Sequence, residues 1–208
     1  MNNSDYKDEE LTRELLDAIE QRSDVSQRYL AAKLGIALGL TNSYLKRCAK
    51  KGYVKIKEVP ANRYLYFLTP KGFAEKSRLT ARFLSTSLTF YRQSAESCSE
   101  LFHLCERCRW HKVVLCGASD LAEIAYTRSV GHPVEVVGVY DPDFSGESFL
   151  SLPAKRHWER LKHADAYIVT GLADPLHTYR DVLGHGVAAE RVLVPSVLGL
   201  ETAIQNGR

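Results

Sequence analysis

Gly117-Ala118-Ser119-Asp120-Leu121 follows an apolar run, and Asp141 stands about 24 positions after Gly117. Glycine at a strand-to-helix turn lets backbone approach a pyrophosphate. The helix N-terminus accepts the charge, and an acid about 20 residues on takes a ribose hydroxyl. The full pattern is G-x-G-x-x-G/A. Here the first glycine is Gly117, the third position is the permitted Ala122, and the second is Ser119. A serine there either obstructs the phosphate or hydrogen-bonds it. The Asp120 carboxylate competes with a phosphate for the same N–H groups. Thr170, Gly171 and Asp174 follow another apolar run and should converge on the same place. The chemistry expected is binding of a nucleotide, a nucleotide-sugar or NAD(H). The other reading is a sheet domain whose turn holds no ligand.

A second set of residues suits duplex DNA. Asn42 can pair bidentately with adenine, and Thr41 can offer a hydroxyl or a methyl. Lys46, Arg47 and Lys50 lie further along and suit phosphates. Lys55, Lys57, Asn62 and Arg63 should point into solvent or a minor groove. Gln27, Arg28, Leu38 and Ser43 complete the candidate contact set. The charge is local. Lys and Arg total 28 against 25 Asp and Glu, but residues 24–78 hold 12 basic and 3 acidic side chains, a net of +9. Residues 1–23 are −4, 79–108 are 0 and 109–208 are −2. Counterion release at a phosphate backbone needs such a concentration of cations.

Cys98, His103, Cys105, Cys108 and His111 crowd together, with a C-x-x-C among them. A zinc site or thiol switch uses such side chains, but a second C-x-x-C is missing. No metal is therefore expected. Nor is an enzyme: neither G-x-S-x-G nor H-E-x-x-H occurs.

The elements that must position these residues follow from periodicity. Residues 9–22 carry Leu11, Leu15 and Ile19 on one helical stripe. A helix capped by Ser26 stops at Gly35, and a second runs from Ile36 to Lys51. Segments 53–57 and 64–68 form a hairpin around Pro60-Ala61-Asn62-Arg63, and a helix restarts after Thr69-Pro70. Two short helices, a glycine turn and a basic ribbon place one helix in a major groove with a wing beside it. From about 73 to 107 a long helix carries Leu84, Leu88, Tyr91, Ala95, Cys98, Phe102 and Cys105 at alternating spacings of 4 and 3. That seam is expected to pair two copies of the chain; the other reading packs it on the chain's own C-terminal domain. Beyond it, strands at 111–116, 134–140, 166–170 and near 191–194 alternate with helices at 121–130 and after Asp174-Pro175. That argues a parallel sheet covered on both faces.

Ser26-Gln-Arg, Leu34-Gly-Ile-Ala-Leu-Gly39, Asn42, Lys51-Gly-Tyr-Val54 and Leu68-Thr-Pro-Lys-Gly72 resemble the winged helix-turn-helix of MarR-type regulators, in particular those associated with exopolysaccharide gene clusters. The resemblance covers roughly residues 9–95. Val113 to Ile124 with Val137-Gly-Val-Tyr-Asp141 is similar to the Rossmann-like modules of polysaccharide-biosynthesis proteins. The order of the two domains also resembles NADH-sensing redox repressors. The resemblance implies a dimeric, sequence-specific regulator that binds double-stranded DNA.

The expected fold is α/β in two domains. Residues 1–78 form a winged helix-turn-helix, 79–108 a dimerisation helix and 109–208 a Rossmann-like domain. Hydrophobic content of 45% suffices for real cores. No apolar run reaches the roughly 20 residues a bilayer needs, and the acidic N-terminus is unlike a secretory signal. Five cysteines without export fit reduced thiols in a cytoplasm. The leading expectation is a homodimeric transcriptional regulator sensing a nucleotide-type metabolite. One rival is a constitutive DNA-binding protein whose second domain serves assembly or a protein partner. The other is a nucleotide-sugar enzyme with an appended winged helix.

Overall fold

The computed structural model describes residues 3–60, 63–155 and 158–205. The chain divides into two compact units, Met1–Ser87 and Leu88–Arg208.

The first unit contains α1 (Asn3–Gln21), α2 (Gln27–Leu34), α3 (Leu38–Lys50), and an antiparallel ribbon of β1 (Val54–Val59) and β2 (Arg63–Leu68). Ser26 starts α2 because its hydroxyl accepts the Tyr29 N–H at 3.0 Å. Gly35 stops it in the left-handed conformation, at φ 62°. Leu15, Leu16 and Ile19 of α1 meet Leu30, Leu45, Cys48, Val54 and Tyr66 in one core. Each large side chain fully buried there stabilises by about 1.5–3 kcal/mol.

A single helix, α4 (Pro70–Cys108), runs from the first unit into the second. Thr69 starts it. Its hydroxyl donates to the Gly52 carbonyl at 2.6 Å and accepts the Gly72 N–H at 3.0 Å, and Pro70 occupies the first helical position. A Cβ at residue 72 would collide with the Tyr53 carbonyl, so the Thr-Pro-Lys-Gly sequence needs its glycine.

The second unit is built on a six-stranded sheet, ordered β5-β6-β4-β3-β7-β8. Its strands are β3 (Lys112–Cys116), β4 (Glu135–Tyr140), β5 (Ser148–Phe149), β6 (Leu152–Lys155), β7 (Ala166–Val169) and β8 (Val192–Leu193). All neighbours are parallel except the β5–β6 hairpin. The parallel strands, taken in chain order, lie across the sheet as 3-2-1-4-5, the Rossmann-like arrangement. The order reverses between β3 and β7, which puts a crevice at their carboxyl ends.

Strand β3 alternates. Val113 and Leu115 face a core shared with α4 and α5 (Asp120–Ser129). Val114 and Cys116 face another, shared with α6 (Pro175–Gly184) and Trp158. A last short helix, α7, spans Glu201–Gln205. No described helix is long and apolar enough to cross a membrane.

The supposed dimer seam divides. Ala95, Cys98, Phe102 and Cys105 are buried, and the last three sit in the core with Val113, Leu115 and Leu121 of the same unit. Those four are therefore not dimer contacts. A stripe at helical spacing fits a sheet as well as a second helix, and here it covers the chain's own sheet. Leu84, Leu88 and Tyr91 do face solvent, at 53%, 52% and 42% exposure.

Candidate nucleic-acid interface and sheet-end crevice

Two groups of cations stand out in the first unit. One group is tied to α1 or its own helix. Arg47 donates to Asp8 at 2.7 Å and lies 4.4 Å over the Tyr44 ring, while the Tyr44 hydroxyl donates to the same Asp8 oxygen. Lys76 pairs with Asp17 and Glu20, Arg78 with Glu75 and Glu9, and Arg82 with Glu9. Burial raises the Asp8 carboxyl, but hydrogen bonds from Tyr44 and Arg47 outweigh it and hold it below its ordinary value. Arg47 is thus anchored, and its assignment to a phosphate is corrected: the acidic first helix neutralises this side.

The other group faces outward. Ser43, Lys46 and Lys50 are exposed at helical spacing on α3, and Lys55 and Lys57 are exposed on one face of β1. Arg28 is exposed at the start of α2. Among the described residues, Arg28, Lys46, Lys50, Lys55 and Lys57 have no carboxylate partner. Gln27, Arg28 and Leu38 border a groove of about 730 Å³, closed on its far side by Val59, Tyr64, Leu65 and Tyr66 of the ribbon. Gln27 is partly committed there, donating to the Tyr66 hydroxyl at 3.1 Å.

Two supposed base readers are placed otherwise. Thr41 is fully buried and its hydroxyl donates to the Ala37 carbonyl at 3.2 Å, so it cannot touch a base. Helical rotation puts residue 41 on the core side, with Tyr44 and Leu45. Asn42 is half-buried, and its Oδ1 is buried without a hydrogen-bond partner. Ser43 is the exposed neighbour, with its hydroxyl donating to the Gly39 carbonyl at 3.0 Å. Asn62 lies outside the described residues, and of Arg63 only the backbone is described, as the first residue of β2.

Residues 8–55 match a family model described as winged helix-turn-helix DNA-binding. The N-terminal unit is a winged helix-turn-helix. Its α3 stands in the place of a recognition helix, with β1 and β2 as the wing. No curated protein matches the chain. Among solved structures, one described as PigF with SAH is similar at 13% identity with a TM-score of 0.25. The match covers 92% of this chain and 56% of that one, so the chain spans little more than half its length. A likeness so loose carries no argument.

The crevice lies at the carboxyl ends of β3, β4 and β7. It encloses about 340 Å³, bordered by the 117–119 turn, Asp141, Asp143, Gly171, Asp174 and His177, with Asp181 on α6. Gly117 has φ 109°, and a Cβ there would collide with the backbone of Gly171. Gly117 is required because the ends of β3 and β7 touch, whereas a Cβ at Gly171 would meet the Thr178 hydroxyl on α6.

The turn is closed from within. Ser119 caps α5, accepting the Leu121 N–H at 3.1 Å and donating to the Thr170 carbonyl at 2.5 Å. Its hydroxyl therefore neither blocks nor binds a phosphate. Buried Thr170 donates to the Gly117 carbonyl at 2.7 Å, supporting the turn from below. Asp141 Oδ2 accepts the Ala118 N–H at 2.8 Å, and Oδ1 accepts those of Asp143 and Phe144.

Of the sequence-derived set, Gly117, Ala118, Ser119, Asp141, Gly171 and Asp174 line the crevice. Leu121 instead is fully buried in the core, and Asp120 is exposed in the first turn of α5. Neither lines the crevice, because the helix that Ser119 starts turns them away from it. Asp143, His177 and Asp181 were not legible beforehand. The last two had a usable signal: they fall 3 and 7 residues after the α6 cap, Asp174.

Beneath the crevice the Tyr140 hydroxyl donates to Asp181 at 2.9 Å and lies 3.0 Å from His185 Nε2. Burial, then Asp181, raises the Tyr140 phenol well above its ordinary value. Trp158 stacks between His185 and Tyr167, with ring centroids at 4.6 and 4.8 Å. These groups satisfy one another.

Proposed function

We propose that this chain is a sequence-specific DNA-binding transcriptional regulator of MarR-like type. The observation that carries the reading is the row Ser43, Lys46 and Lys50, exposed on α3 beside Lys55 and Lys57 on the wing. In this reading Ser43 and Leu38 approach base edges, while Arg28 and the lysines hold phosphates. Selection from a random duplex library tests it. The expected result is enrichment of one inverted repeat, since a two-fold dimer reads two half-sites. Recovery of no preferred sequence would contradict it.

In the same reading α4 joins two copies through Leu84, Leu88 and Tyr91, whose apolar side chains lie in water in the single chain. The second unit senses a small metabolite in its crevice. The lining favours hydroxyl or amine donors over a pyrophosphate, because Asp141, Asp143, Asp174 and Asp181 put carboxylates around it. A nucleoside or sugar moiety suits it better than a full NAD. We read the protein as a regulator and not an enzyme. A thermal-shift panel of uridine, UDP-sugars and NADH, with a parallel turnover assay, separates these readings. At a hundred times its dissociation constant a true ligand adds about 2.7 kcal/mol.

A second reading is favoured by the internally closed turn. Asp141 and Ser119 already satisfy the groups that a dinucleotide would use. If no member of the panel binds, the second unit serves assembly and the DNA-binding reading stands without a ligand.

A further inference from the structure

Three side chains outside both sites converge on one point. His103 and Glu106 lie three residues apart on α4, and His132 lies in the turn between α5 and β4. One ligand atom from each falls within 4.8 Å of the other two. His103 Nδ1 is 3.5 Å from Glu106 Oε2, and His132 Nδ1 is 2.5 Å from Glu106 Oε1. The two imidazoles meet edge to face, with centroids 4.8 Å apart.

Two ligand atoms on one tetrahedral zinc ion, each bound at about 2.0–2.2 Å, stand roughly 3.3 Å apart. The existing spacings need only small side-chain rotations to reach this. His103 is 60% exposed. His132, only 14% exposed, is fixed: its ring rests on Phe102, and its backbone N–H donates to the Ser129 carbonyl at 3.1 Å. One mostly buried imidazole, one partly exposed carboxylate and one exposed imidazole make a part-formed site.

We propose that His103, Glu106 and His132 bind a first-row divalent metal ion of the zinc type, leaving at least one position for water. The donor set argues for this class. Two imidazoles and a carboxylate suit zinc, cobalt, nickel or iron, whereas magnesium and calcium prefer all-oxygen shells. The ion would fasten α4 to the turn after α5. Of the crowded cysteines and histidines at 98–111, only His103 takes part: Cys98 and Cys105 are buried in the core and His111 points to the Pro133 carbonyl.

The test is titration of the chelator-treated full chain with cobalt(II), followed by visible absorption, with zinc competition and calorimetry. The expected result is one ion per chain and a d–d band that zinc abolishes. Second-shell losses alone cost 10–100-fold in metal affinity, so His103→Ala, Glu106→Gln and His132→Ala should each weaken binding by at least about tenfold. His103 is exposed, so its variant remains informative if His132→Ala misfolds; circular dichroism checks both. Cys108→Ser should leave binding unchanged. Three results overturn the proposal: no binding below about 1 mM, a value that stands far from the affinities of structural zinc sites; binding that survives His103→Ala; or a thiolate charge-transfer band lost with Cys108→Ser.

Discussion

The carboxylate of Asp141, at the end of β4, accepts the backbone N–H of Ala118, at the end of β3, at 2.8 Å. The acid that sequence spacing assigns to a ribose thus closes the turn of the neighbouring strand. Its other oxygen gathers the Asp143 and Phe144 N–H groups of its own loop. Asp141→Ala leaves three donors without this acceptor. Chemical denaturation should show a loss of about 1–3 kcal/mol, the usual cost of stranding partly buried donors. An unchanged midpoint would mean that the loop keeps its shape without the carboxylate.

Asp165 should contribute to acid sensitivity at the other end of the sheet. The Lys112 N–H, then the His111 N–H, both donate to its Oδ2 at 2.8 Å, and hold the carboxyl below its ordinary value. A carboxyl depressed in the folded state contributes stability that is complete above its unfolded value of about 3.9. That stability is lost as pH falls through the lower folded value. Asp165→Asn should therefore flatten the acid limb of the stability curve below about pH 4. A variant as acid-sensitive as the parent would place the titration elsewhere.

The exposed part of α4 makes a prediction that the buried part does not. Leu84 and Leu88 are more than half exposed, so aspartate at both should leave the fold intact. Light scattering should then show a dimeric parent and a monomeric variant. A folded variant that remains dimeric would remove these residues from the interface. Phe102→Asp is no such test, since Phe102 is fully buried and its loss would damage the second unit itself.

Much of the fold was legible because its signals are local. Ser26 and Gly35 bracket α2 with side-chain and backbone chemistry that acts within a few residues. The strands β3, β4 and β7 show as apolar runs because both faces of a parallel sheet are buried. The β5–β6 hairpin has no clear sequence signal, its strands being only 2 and 4 residues long. The sites were less legible. Helical position distinguishes buried Thr41 from exposed Ser43 only when the rotation of α3 is known to within a residue. Charge counting cannot tell Arg47 from Lys46, because the partner of Arg47 is Asp8, 39 residues away. Heptad spacing cannot say whether Cys98 and Phe102 meet a second helix or a sheet.

In the proposed function the exposed lysines of α3 and the wing meet DNA phosphates. The most direct measurement is affinity for a selected duplex over a range of salt concentrations. Each neutralised phosphate contributes about −0.9 to the slope of log K against log salt. The parent should show a steep negative slope. Lys46→Ala and Lys55→Ala should each flatten it by about 1, while Lys76→Ala, whose partners are Asp17 and Glu20, should leave it unchanged. A flat salt response in the parent, or equal losses from Lys46 and Lys76, would contradict the assignment of this surface to DNA.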